Sequence, residues 1–253
     1  MLHKHQSMQS DTLVIIPTYN EKENIEAIVR AVFSLEKPFH ILVVDDGSPD
    51  GTATIIKGLQ AEFFDNLFIL ERSQKNGLGR AYIAGFEWAL QRDYGYIIEM
   101  DADFSHNPAD LPRLYEACTE GKADLAIGSR YKSGVNVVNW PIGRILMSYF
   151  ASIYVRVITG MKIADTTAGF VCYKRQVLET INLNSIAFVG YAFQIEMKFT
   201  AHKHGFNIVE VPIIFINREL GVSKMNSSIF GEALTGVVSL KWKSFFRTYK
   251  KVN

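Results

Sequence analysis

Two aspartates spaced by one residue, Asp101 and Asp103, follow the run Ile97-Ile98-Glu99-Met100 and precede Phe104-Ser105-His106-Asn107-Pro108. On an extended backbone residues i and i+2 point the same way, so both carboxylates would stand together at the carboxyl end of a buried strand. Open α/β sheets bind ligands outside that end. Two neighbouring carboxylates repel unless a cation lies between them, and a hard divalent ion carried by a diphosphate suits them. Asp-x-Asp also caps helices and solvates turns, so the pair alone leaves both readings open.

The elements that would position this pair are legible on both sides of it. Leu13-Val14-Ile15-Ile16 is a short apolar run closed by Pro17 and continued by Thr18-Tyr19-Asn20-Glu21. A helix is expected over 22–35, with Ile25, Ile28, Val29, Val32 and Phe33 on one stripe. Ile41-Leu42-Val43-Val44 ends in Asp45-Asp46-Gly47-Ser48-Pro49-Asp50-Gly51-Thr52, a polar turn opening another helix. Strands are also expected over 67–70, over the run leading to Asp101, and over 125–128 before Ser129-Arg130. Pro108 suits the first turn of a helix. Strands alternating with helices predict a doubly wound, mostly parallel sheet. Its right-handed crossovers bring the loops after the first, second and fourth strands to one edge. Gly77-Leu78-Gly79 lacks the third glycine of a dinucleotide fingerprint, and no phosphate-binding Walker loop is present.

Composition bounds the function classes. The 253 residues are 48% hydrophobic and 21% charged, with net charge +1, which suits one α/β domain with a large core and does not mark a nucleic-acid binder. Cys118 and Cys172 offer neither a disulfide framework nor a cysteine metal site and favour a reducing compartment. Residues 1–10 have no apolar core and read as a frayed tail rather than a signal peptide. No stretch reaches the ~18–20 uncharged apolar residues of a membrane span, the best being Ile145 to Val155 between Arg144 and Arg156, so any membrane contact is expected to be peripheral.

Beyond Arg130 the pattern changes. Asn139-Trp140-Pro141 introduces an apolar helical segment over 142–158 that holds Arg144, Ser148 and Arg156. Asp165-Thr166-Thr167-Ala168-Gly169-Phe170, a helix over 191–204 and an apolar strand over 208–216 follow. Residues 217–224 form a loop with Arg218 and Lys224, and 229–253 form a basic amphipathic helix. That helix suits an anionic membrane surface, or equally docks on its own domain with a solvated basic end. Asp45 is expected to cap its turn, His106 to brace the turn after Asp101, Glu196 to make a structural hydrogen bond, and His202 and His204 to lie at the surface.

Taken in order, the chain resembles the family 2 glycosyltransferases, and within them the dolichol-phosphate (polyprenol-phosphate) mannose synthases. The matching pieces are 16–21, 44–52, Gly77-Leu78-Gly79, Met100-Asp101-Ala102-Asp103 with 105–108, 128–131, Asn139-Trp140-Pro141, 190–197, and Arg218 with 221–224. The resemblance covers about residues 12–230. It implies a GT-A-type fold and transfer of mannose from GDP-mannose to a polyprenyl (dolichyl) phosphate. By the same resemblance Pro17, Tyr19, Glu21 and Val44 would line the base and ribose pocket, with Asp46 accepting from the guanine edge. Asp101, Ala102 and Asp103 would hold ribose, Mg2+ or Mn2+ and diphosphate, with Ser105 near the metal, although some relatives carry glutamine there. Arg130 would lie between donor and acceptor phosphates, Arg144 and Ser148 would hold the lipid phosphate, and Arg218 and Lys224 would close over the diphosphate. Asp103, Arg130, Arg218 and Lys224 are thus the residues expected to carry the chemistry.

A phosphate acceptor is already ionised at neutral pH and needs positioning more than a general base, so no base is assigned. Direct displacement would invert the anomeric centre. Many relatives continue into transmembrane helices. This sequence stops at Asn253 and resembles the form that recruits membrane-embedded subunits or meets lipid through its own segments, 142–158 and 229–251, at the cytoplasmic side of a membrane. A transferase using UDP-glucose or another UDP-sugar, and a catalytically idle nucleotide-binding scaffold, are the competing readings.

Overall fold

The computed structural model describes residues 10–190, 192–218 and 228–249, with the side chains of 228–234 outside that description. Strands and helices alternate from the start: β1 (Thr12–Thr18), α1 (Ile25–Phe33), β2 (His40–Asp45), α2 (Thr52–Leu59), β3 (Leu67–Glu71), α3 (Leu78–Leu90), β4 (Tyr96–Glu99), α4 (Leu111–Thr119) and β5 (Leu125–Ser129). The second part comprises β6 (Val137–Val138), α5 (Ile142–Thr159), β7 (Val171–Lys174), α6 (Arg175–Thr180), α7 (Ala192–His204), β8 (Ile208–Pro212), β9 (Phe215–Ile216) and α8 (Ser228–Lys243).

Seven strands form one sheet in the order β3-β2-β1-β4-β7-β5-β8, and β6 pairs with β9 beside it. All pairings in the large sheet are parallel except those of β7, which lies antiparallel between β4 and β5. The doubly wound, mostly parallel sheet agrees with the sequence reading. The antiparallel β7 was not anticipated, because Val171-Cys172-Tyr173-Lys174 is short and carries no turn signal of its own. The apolar run expected as one strand over 208–216 is split at Ile213-Ile214, so that β8 joins the main sheet and β9 the small one.

Alternate residues of each buried strand feed two cores, as the pleat requires. Leu13, Ile15, Leu42, Val44, Ile97, Leu125 and Ile127 meet α3, α6 and α7 on one face. Val14, Ile16, Ile41, Val43, Ile98 and Ala126 meet α1, α2 and α4 on the other. Thr18, Asp45 and Glu71 register side by side at the carboxyl ends of β1 to β3, and β4 ends at Glu99 opposite Ile15.

Residues 1–9, with His3 and His5, lie outside the described residues. Ser10, expected in the tail, is already packed: its hydroxyl donates to the Pro38 carbonyl at 2.9 Å. Helix α5 is 18 residues long and, among the described residues, is the one helix long and apolar enough to cross a membrane by length and composition. Arg144 and Arg156 interrupt the uncharged run, so the sequence alone predicts no span here. Its inner side, Ser152, Val155 and Thr159, is buried and packs against α8.

Candidate active site

The loops after β1 and β2 are tied together before any ligand is considered. Asp45 accepts from Thr18 Oγ1 at 2.9 Å, Ser48 N at 2.9 Å and Ser48 Oγ at 2.6 Å, so it caps its turn as expected. Ser48 Oγ, Thr52 Oγ1 and Asp50 Oδ2 then accept from the backbone N–H groups of Asn20, Glu21 and Lys22. This stitching brings Pro17, Tyr19, Glu21, Val44 and Asp46 to one end of the sheet edge. Lys75 Nζ lies 4.5 Å from the centre of the Tyr19 ring. Asp46 is buried and paired with Arg72 at 2.8 Å. Burial pushes the Asp46 carboxyl up, partly offset by Arg72 and reinforced by Asp45. Arg72, just past β3, was missed because nothing in sequence links it to Asp46.

Strand β4 ends at Glu99, and the two aspartates lie in the turn beyond it. The extended geometry expected for them is therefore corrected. Asp103 Oδ1 accepts from Ser105 N at 3.1 Å, and Phe104 takes φ +59°, a left-handed conformation unfavourable for a bulky residue. The turn still gathers its polar groups. His106 stacks on Phe170 at 4.8 Å and accepts at Nδ1 from the Asp101 backbone N–H at 3.1 Å, so it braces the turn. Burial lowers the pKa of His106, and its Nε2–H faces Asp101 Oδ2 at 4.0 Å. Asp101 keeps about a third of its side chain (35%) exposed. Desolvation raises its pKa, His106 and Arg218 pull it down, and Asp103 pushes it up. Asp103 Oδ2 is held by Arg218 Nη2 at 2.8 Å. Ser105 Oγ is buried without a protein partner.

One cavity of about 170 Å³ adjoins this turn, and Asp101, Ser105, Arg130, Arg144, Ser148 and Arg218 all contribute to its wall. Apolar groups of α5, α7 and β9 fill much of the remainder. Arg130 is buried and forked onto Asp165, with Nε to Oδ2 at 2.7 Å and Nη2 to Oδ1 at 2.6 Å; Nη2 also donates to Thr167 Oγ1 at 2.8 Å. Burial alone would raise the Asp165 carboxyl, but Arg130 holds it below the usual carboxylate range. Glu210 fixes the Asp165 loop by accepting from the N–H groups of Ala164 and Asp165, each at 2.9 Å. Arg144 donates to Asn217 Oδ1 at 3.2 Å and lies 4.0 Å from the Trp140 ring centre.

Below the cavity a polar group crosses the apolar core. Glu99, fully buried, accepts from Gln194 Nε2 at 2.8 Å, and burial pushes its pKa up to about 8. Lys198, also fully buried, donates to the Ala168 carbonyl at 2.6 Å, and burial lowers its pKa to about 8. No motif in the sequence marks Glu99, Gln194 and Lys198 as a group; the available signal is Gln194 and Lys198 four apart on one face of an otherwise buried helix. Glu196 accepts from Ala187 N and Phe188 N at 2.9 Å, the expected structural hydrogen bonds. His202 is exposed, but His204 is buried and packs against Phe206 and Tyr249, which corrects its expected surface position. Lys224 lies outside the described residues.

A sheet with this topology, a carboxylate turn past its fourth strand and a ring of arginines beyond it define a nucleotide-sugar transferase class of site. The chain belongs to glycosyl transferase family 2, whose model matches residues 13–181, and it is a glycosyltransferase. It is 51% identical over 223 residues to the polyprenol monophosphomannose synthase of Mycolicibacterium smegmatis, covering 88% of this chain and 84% of the relative. It is 46% identical over 225 residues to the undecaprenyl-phosphate mannosyltransferase of Micrococcus luteus, covering 89% and 91%. Among solved structures, glucosyl-3-phosphoglycerate synthase from Mycobacterium tuberculosis, in complex with Mn2+, UDP and phosphoglyceric acid, superposes with a TM-score of 0.67 at 16% identity, covering 92% of this chain and 77% of that one. A mannosyltransferase from Pyrobaculum calidifontis, in complex with GDP-Man and Mn2+, gives 0.60 at 16% identity, covering 96% and 66%. At that identity these structures bear on the GT-A fold alone.

Proposed function

We propose that the protein transfers mannose from GDP-mannose to the phosphate of a polyprenyl phosphate, with inversion and with the help of a divalent metal. The observation that carries this reading is the single cavity lined both by the carboxylate turn (Asp101, Ser105) with Arg218 and by Arg130, Arg144 and Ser148, with apolar groups between and beyond them. An acceptor with an anionic head and a greasy tail matches that lining. The names of the two relatives above support the same acceptor class and sugar.

The residues fit a hard cation. Asp103, Asp101 and the partnerless Ser105 hydroxyl offer oxygen only, which suits Mg2+ or Mn2+. No group of three or more His, Cys, Asp or Glu side chains among the described residues is placed to hold a metal ion by itself, so diphosphate oxygens would complete the ligand set. When bound, such an ion acts as a Lewis acid on the departing diphosphate. Arg218, released from Asp103, adds charge-assisted hydrogen bonds to the same oxygens, with Lys224 as its expected companion. Asp46 accepts from the guanine edge while Pro17, Tyr19, Glu21, Val44 and Ala102 line the nucleoside pocket. Arg144 and Ser148 hold the acceptor phosphate, and Arg130 orients its attacking oxygen toward the anomeric carbon. The attacking oxygen carries its own negative charge, so alignment replaces proton abstraction.

The exposed side chains of α5, α8 and the turn after it suit work at a membrane surface, on the cytoplasmic face where nucleotide sugars reside, alone or beside membrane-embedded partner subunits. Incubation with Mn2+, undecaprenyl phosphate and labelled GDP-mannose or UDP-glucose tests the reading. Lipid-linked β-mannose is expected, and product from UDP-glucose alone would replace it with glucosyl transfer.

A further inference from the structure

Gln194 and Lys198 lie one turn apart on α7, beneath the cavity. Lys198 Nζ approaches Ala168 O at 2.6 Å, Gln194 O at 3.2 Å and Gln194 Oε1 at 3.2 Å. An ammonium group has donors only, so the oxygen end of the Gln194 amide must face it. The nitrogen end is thereby turned to Glu99, whose Oε2 accepts at 2.8 Å. Reversing the amide would set nitrogen against nitrogen at Lys198.

An amide nitrogen carries two hydrogens, and Glu99 accepts one of them. The second finds no acceptor among the described residues, and leaving a buried donor unmet costs about 1–3 kcal/mol. Gln194 is only 2% exposed, yet it is among the residues that line the cavity, with Asp101, His106 and Arg130. The neighbouring wall is Gly169, where even an added Cβ would stay 3.9 Å from Gln194 Nε2. Gly169 lines the same cavity, so the amide nitrogen sits against a part of the wall that carries no side chain.

The arginines of this cavity match phosphates. A neutral amide with one spare hydrogen matches a hydroxyl. We propose that Gln194 is a sugar-recognition residue, donating its second amide hydrogen to a hydroxyl of the transferred hexose, and that Lys198 and Glu99 are positioning residues that lock the amide. This rests on the nucleotide-sugar reading above, since the hexose must pass between the diphosphate and the acceptor phosphate.

The test compares the parent nucleotide sugar with its monodeoxy analogues, in the wild-type full chain and in Gln194→Ala and Lys198→Met, with folding of each variant checked by circular dichroism and thermal melting. A site built to bond a hydroxyl rejects the analogue lacking it, so one deoxy donor should lose ~10- to 100-fold in kcat/KM with the wild type. Gln194→Ala should lose a similar factor on the parent sugar and nothing further on that deoxy donor. Lys198→Met, which frees the amide to turn, should narrow the same discrimination. Additive losses, or a wild type indifferent to every deoxy position, overturn the assignment of Gln194 while leaving the transferase reading intact. A wild type that transfers from no nucleotide sugar overturns both.

Discussion

Arg218 Nη2 holds Asp103 Oδ2 at 2.8 Å, so a guanidinium stands on the carboxylate expected to ligate the metal. The same arginine lines the cavity wall beside Asp101. A metal ion held by Asp103 Oδ2 would compete with this contact, and a guanidinium so freed would be available to a diphosphate. Arg218→Gln should therefore bind Mn2+ about 3- to 10-fold more tightly in the absence of nucleotide, the scale of a partly exposed ion pair. Electron paramagnetic resonance of free Mn2+ measures it directly. Asp103→Ala should lose metal binding and ~100-fold or more in turnover. Unchanged Mn2+ affinity in both variants would contradict the role given to the pair.

Arg130 owes its orientation to Asp165. The fork is buried, and removing one partner strands the other charge at a cost of about 3–5 kcal/mol. Asp165→Ala should lower Tm by ~10 °C for a domain of this size. Arg130→Lys should be poorly tolerated as well, because an ammonium cannot span both carboxylate oxygens. A Tm within a degree of wild type for Asp165→Ala would show that the fork contributes little.

Glu99 should give stability a particular pH dependence. Its folded pKa, raised to about 8, exceeds the ordinary 4.5, so between these values the folded chain binds more protons than the unfolded one. Stability from this group is full below about pH 4.5 and is lost as pH rises through about 8. Lys198, lowered from 10.5 to about 8, acts in the next window: its burial penalty is relieved as pH rises from about 8 to 10.5. Glu99→Gln should therefore flatten the fall in Tm between about pH 5 and 8. Parallel Tm profiles for variant and wild type would exclude a titrating Glu99.

Large apolar side chains stand exposed on α5 (Leu146 at 50%, Phe150 at 59%), on α8 (Trp242 at 66%) and in the turn after it (Phe246 at 77%). Such side chains contribute about 1.5–3 kcal/mol each when fully buried. Phe150→Ser with Trp242→Ser should weaken partition onto anionic vesicles by at least ~10-fold while leaving the transfer of mannose to a short-chain, water-dispersed prenyl phosphate largely intact. Equal vesicle binding by the double variant would leave these residues without a lipid role.

The alternation of buried strands and striped helices was readable because period-2 and period-3.6 patterns are local. So were the carboxylate turns at Asp45 and Asp101, since each follows an apolar run. The antiparallel β7 was not, because strand direction is decided by where the chain returns after α5, and four residues carry no record of that. The pairs Asp46–Arg72, Arg130–Asp165 and Glu99–Gln194 join residues 26, 35 and 95 positions apart. Periodicity is blind to such separations. His204 read as surface for a related reason: its cover, Tyr249, comes from the far end of the chain.

In the proposed reaction Arg144 receives the acceptor phosphate while the aspartate turn holds the donor. Steady-state kinetics of Arg144→Ala with GDP-mannose and undecaprenyl phosphate, varied independently, test it most directly. The acceptor KM should rise ~10- to 100-fold, the scale of one lost charge-assisted contact, with the donor KM unchanged. A rise in the donor KM alone, or no change in either, would contradict the account.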